Sequence, residues 1–96
     1  MRITLVKKVL ADGSPCKKCA EVLSKMEAAD QLRFIDAIVI ADEADKSSPG
    51  MILAAQHKVN RAPFFIVERD GQQAEIYTVY FKLVKDVLEG LDLDSV

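Results

Sequence analysis

The chain has 96 residues, half of them apolar, enough for one compact core and too few for two. A formal net charge of -2 and an isoelectric point near 5.3 give no general electrostatic footprint for DNA or RNA, and the basic residues are scattered. No stretch approaches the roughly 18 to 20 continuous apolar residues of a membrane span, and Met1 to Lys8 lacks the long apolar run and small-residue cleavage site of a secretory signal. These readings predict a soluble, cytoplasmic, single-domain protein over residues 1–96, with no nucleic-acid or membrane partner.

Ile3 to Val9 reads as a first strand. Asp12-Gly13-Ser14-Pro15 follows as a turn, with Ser14 expected as helix N-cap and Pro15 at the first helical position. The spacing then predicts a helix from about Cys16 to Gln31, because Cys19, Val22, Leu23, Met26 and Ala29 fall on one face. Phe34 to Ala41 is apolar apart from Asp36, the pattern of a strand covered on both faces and paired in parallel with the first. After an acidic loop, Asp42 to Lys46, Ser48-Pro49 restarts a helix with a Ser cap and Pro at N1, ending near Lys58.

Phe64 to Glu68 and Ala74 to Val79 flank Asp70-Gly71 and predict an antiparallel hairpin. A last helix is expected from about Tyr80 to Glu89, burying Tyr80, Leu83, Val84, Val87 and Leu88, with Gly90 as its stop and an acidic, fraying tail from Leu91 to Val96. The resulting order is βαβαββα. It predicts an α/β fold with a four-stranded mixed sheet and helices on both faces.

The chemistry is concentrated in Cys16-Lys17-Lys18-Cys19, which sets the only two cysteines one helical turn apart behind a strand and a turn. A thiolate, not a thiol, attacks a disulfide, and a free cysteine with a pKa near 8.5 is mostly protonated at neutral pH. In the first turn of a helix Cys16 meets unpaired N–H groups and the positive end of the macrodipole, with Lys17 and Lys18 adding positive charge. Cys19, one turn deeper, should keep its proton longer. Cys16 is thus the expected nucleophile and Cys19 the resolving thiol. In a reducing compartment such a pair is catalytic or metal-binding rather than a permanent staple.

A second segment, Val59-Asn60-Arg61-Ala62-Pro63-Phe64-Phe65-Ile66-Val67 with Gly71 after it, stands where a third strand is entered. Taken with the C-x-x-C, it resembles the thioredoxin superfamily, and more closely its small glutaredoxin-like members, over nearly the whole chain. The resemblance implies a thioredoxin-like fold and a thiol-disulfide oxidoreductase. It also implies a cis Ala62-Pro63 bond beside Cys16, with the backbone of Ala62 exposed to an extended substrate. Substrate contacts are expected at Ala62, Pro63, Lys17 and Lys18. Protein or small-molecule disulfides are the expected substrates, glutathione or a reductase the expected redox partner, and the expected state is a monomer with no cofactor.

The chain departs from that pattern in lacking the tryptophan and Gly-Pro of thioredoxins and the Pro-Tyr of dithiol glutaredoxins. Gln72-Gln73 stand after the hairpin turn where glutaredoxins tend to carry a glycine pair. The competing reading is a thioredoxin-like binding module that holds a metal or docks a partner without a catalytic cycle. C-x-x-C is half of a zinc site, and the single histidine, His57, is expected on a distant helix, so ligands would have to come from a second chain or an external thiol.

Overall fold

The computed structural model describes residues 1–94, and the side chains of 1–91. Strand β1 (Arg2–Val9) carries Ile3, Thr4, Leu5 and Val6, all buried. Alternation sends Ile3 and Leu5 to one face and Val6 to the other, so this strand feeds two cores. Strand β3 (Phe64–Glu68) does the same, with Phe65 and Val67 on the first face and Phe64 and Ile66 on the second. These two strands sit at the centre of a four-stranded sheet ordered β2-β1-β3-β4, with β2 (Ala37–Asp42) parallel to β1 and β4 (Glu75–Tyr77) antiparallel to β3. The expected α/β architecture with a mixed sheet is present.

Helix α1 (Lys17–Ala28) and the C-terminal helical arm cover the first face. The arm has three consecutive pieces: α3 (Tyr80–Leu83), a π-helical turn (Val84–Leu88) and α4 (Glu89–Asp94). Met26 from α1 and Leu83, Val87 and Leu88 from the arm complete this core. Helix α2 (Pro49–Gln56) covers the second face, where Met51, Leu53 and Ala54 pack toward Val6, Ala41, Phe64 and Ile66. Its close approach depends on Gly50: a Cβ there would stand 2.3 Å from the Ala41 amide nitrogen and 2.4 Å from the Ile40 carbonyl carbon.

Several expectations are corrected. Helix α1 ends at Ala28 rather than Gln31, because Asp30 turns left-handed (φ 56°) and the Gln31 N–H returns to the Met26 carbonyl at 2.7 Å. Ala29, expected on the apolar face, is exposed. Helix α2 closes in the same way: Lys58 has φ 55° and the Val59 N–H reaches the Ala54 carbonyl at 2.9 Å. Residues Leu32–Phe34 form a 3-10 turn, not the start of β2. Asp36, the one polar residue in that apolar run, clamps the two parallel strands: its carboxylate accepts from the Ile3 N–H at 2.7 Å and its own N–H donates to the Ile3 carbonyl at 2.8 Å.

Strand β2 is not covered on both faces. It is an edge strand, and Ile38 and Ile40 remain 50% and 44% exposed because their face extends past the helices seated over β1 and β3. Asp70-Gly71 does make a turn, with Gly71 at φ 72° and the Gln72 N–H donating to Arg69 at 3.1 Å, but β4 is shorter than expected at both ends. Gly90 does not stop the last helix, which continues to Asp94. Of the tail expected to fray, Leu91 to Asp94 are therefore helical, and residues 95–96 lie outside the described part.

Candidate functional site

The loop after β1 folds back on itself and sets the start of α1 against the strand's C-terminal end. Leu10 N–H donates to the Ser14 carbonyl at 2.9 Å, Gly13 takes φ 87°, and Pro15 bridges to Val9. Contrary to the expectation from sequence, Ser14 does not cap the helix; the Asp12 carboxylate holds it, accepting from its N–H at 2.9 Å and from its hydroxyl at 2.5 Å. The N-cap is Cys16 itself, with extended backbone (φ -74°, ψ 123°) and its sulfur accepting from the Cys19 N–H at 3.5 Å. A thiol in this role sits on the unsatisfied donors of the helix start.

The two thiols differ sharply in surroundings. Cys16 is half-buried and Cys19 only 3% exposed, and no disulfide joins them. For Cys16, burial pushes the pKa up but is outweighed by the Cys19 N–H, the Cys19 thiol, the Lys18 N–H and the Lys8 ammonium, which together hold it below the ordinary thiol value. For Cys19, burial dominates and the neighbouring Cys16 adds to it, pushing the thiol up to about 11 despite the Lys8 N–H donating to its sulfur at 3.4 Å. At neutral pH a proton therefore leaves Cys16 far more readily than Cys19.

Lys8 is the residue that reading along the chain missed. Its N–H holds the Cys19 sulfur, its ammonium favours the Cys16 anion, and Nζ lies 3.2 Å from a Glu43 carboxylate oxygen in a partly exposed ion pair. Lys17 and Lys18, expected to supply that charge, point to solvent; Lys18 contributes through its backbone N–H instead. Lys8 is eight residues before Cys16, and only the fold-back of the intervening turn brings the helix start to the end of β1.

The Ala62-Pro63 bond is cis. Ala62 and Pro63 line a cleft of about 290 Å³ together with Lys18 and Glu21 of α1, Thr78 of the β4–α3 connection, and Tyr80. Of the residues singled out from sequence, Lys18, Ala62 and Pro63 thus share one cleft, and Cys16 and Cys19 share the turn that opens α1; Lys17 belongs to neither contact set. Gln72 is not at this end. It lines a hollow with Met1, Arg2 and Glu68, at the start of β1, whereas Cys19 meets Lys8 near the strand's end; the segment after β4 that borders the cleft is Thr78.

Among the described residues no cluster of three or more His, Cys, Asp and Glu side chains could hold a metal ion, and no helix is long and apolar enough to cross a membrane. His57 lies at the C-cap of α2, in no such cluster. Compared with protein-family models, curated proteins and solved structures, the chain matches none.

Proposed function

We propose that the protein is a thiol-disulfide oxidoreductase with a thioredoxin-like βαβαββα fold, closest in kind to small glutaredoxins. The observation that carries this reading is the asymmetry of the cysteine pair: a half-buried N-cap thiol with depressed pKa one turn before a buried thiol pushed up to about 11. A structural pair of buried cysteines has no need of such a difference. The cleft that Ala62 and Pro63 line with Lys18 supports the same reading, as a groove in which an extended substrate could be recognised.

In the proposed cycle the Cys16 thiolate attacks one sulfur of a substrate disulfide. A Cys16–substrate bond forms, the substrate S–S bond breaks, and the first substrate sulfur leaves as thiolate and takes a proton from solvent. Cys19 then loses its proton to solvent and attacks the Cys16 sulfur. The Cys16–Cys19 disulfide forms, the second substrate thiolate leaves, and two electrons have passed from the protein dithiol to the substrate. A thiol reductant of the glutathione or reductase class restores the dithiol; run in reverse, the same steps oxidise a substrate dithiol. Such a cycle suits a monomer in a reducing compartment such as the cytoplasm.

The test is capture of the intermediate. Cys19→Ser protein incubated with bis(2-hydroxyethyl) disulfide or a disulfide-bonded peptide should accumulate a mixed disulfide on Cys16, read by intact mass, and Cys16→Ser should accumulate none. Capture by Cys16→Ser instead would reverse the assignment. Capture by neither, with stoichiometric metal in freshly reduced protein, would replace the oxidoreductase by the metal-holding module.

A further inference from the structure

Between α2 and the second face of the sheet lies a cavity of about 340 Å³, lined mainly by Ala41, Met51, Ala54, Ala55, Val59 and Phe64. It is a half-open groove, with Ala55 and Arg61 exposed, four small alanines among its lining residues, and a volume in the range of small-molecule sites. Its walls are apolar and offer a water almost nothing to bond to.

The rest of the lining includes the charged Lys8, Glu43 and Arg61 beside the neutral Asn60. Lys8 and Glu43 are committed to each other at 3.2 Å. Arg61 is exposed and has no hydrogen bond or ion pair among the described residues, so the lining holds two cations against one carboxylate. An apolar groove with a single unpaired guanidinium in its lining matches an apolar body carrying one negative charge, for which arginine's planar fork suits a carboxylate.

We propose that this cavity binds a small apolar monocarboxylate, with its hydrocarbon part between α2 and β3 and its carboxylate on Arg61. The groove adjoins the proposed thiol site: Lys8 also meets the cysteine pair, and Arg61 and Ala62 also line the cleft beside Pro63. A neutral ligand of the same shape would keep the burial and lose the ion pair.

The probes are octanoate, 1-octanol and acetate, titrated into the reduced, isotopically labelled protein and followed by amide chemical shifts. Octanoate should produce saturable shifts at Ala41, Met51, Ala54, Val59 and Phe64, and acetate none. Octanol should bind the same residues up to about fivefold more weakly, the contribution of one exposed ion pair. Arg61→Gln, a surface change, should bring octanoate to the affinity of octanol, and Ala55→Leu, well tolerated in a helix, should weaken both by filling the groove. Shifts that fail to saturate, that centre on the exposed Ile38, Ile40 and Phe81, or that leave octanoate and octanol equal in the unaltered protein would overturn the proposal. An Arg61→Gln protein that still prefers octanoate would do the same.

Discussion

Gly50→Ala should be far more damaging than a single methyl implies. The added Cβ would lie 2.3 Å from the Ala41 nitrogen, 2.4 Å from the Ile40 carbonyl carbon and 2.6 Å from the Ala41 Cα, against ordinary contacts of 3.4 to 4 Å. All three obstacles are backbone of β2, so no side chain can rotate away; α2 would have to lift by about an ångström, loosening Met51, Leu53 and Ala54 from Ala41, Phe64 and Ile66. Overpacking of this kind costs about 1 to 3 kcal/mol, and rigid obstacles place it at the upper end. With a total stability of roughly 5 to 15 kcal/mol, a loss of about 3 kcal/mol is severe. Gly90→Ala is the internal control. It lies in α4 with nothing within 4 Å of its added Cβ, so it should stabilise by about 0.5 to 1 kcal/mol through helix propensity. Urea titration of both variants measures this, with unchanged slope showing that only stability moved. A Gly50→Ala protein within about 0.5 kcal/mol of the parent would refute the close packing of α2 on β2.

Lys8→Met should raise the pKa of Cys16 and slow its alkylation at pH 7 by about two- to fivefold, whereas Glu43→Gln, which frees the Lys8 ammonium, should speed it; equal rates in both variants would remove Lys8 from the site. The buried Cys19 thiol sets a pH dependence of the reduced protein. Its folded pKa of about 11 lies above the ordinary value of 9.0, so between these pH values the unfolded chain has lost a proton that the folded chain retains, and stability falls as pH rises through that window. Denaturation of reduced parent and Cys19→Ala proteins at pH 8 and pH 10.5 should show the parent losing more; an equal loss would contradict the burial argument.

Much of the fold is legible because local chemistry and packing agree. Phe64 to Glu68 reads as strand from its apolar run, and Ser48-Pro49 marks the start of α2 as observed. The failures fall where a distant partner decides. Ser48 takes the N-cap position but spends its hydroxyl on the Asp42 N–H at 3.0 Å, a bond across the β2–α2 connection. Asp36 looks like an interruption of a strand until the Ile3 amide is placed opposite it. The exposure of Ile38 and Ile40 follows from which strand ends up at the sheet's edge, and composition does not encode that order. In the site, the cysteine spacing was legible, whereas the capping role of Cys16 and the charge of Lys8 depend on how the loop of residues 10–15 folds back.

The central claim is that Cys16 is a nucleophile poised as its anion while Cys19 is held back. Alkylation of the reduced protein across pH 4 to 11, with mass spectrometry locating the label, tests it most directly. Cys16 should be labelled first, with a half-maximal rate at a pH below that of an ordinary free thiol, and Cys19 should follow only toward about pH 11. Labelling of Cys19 first, or two thiols titrating together as ordinary free thiols, would contradict it.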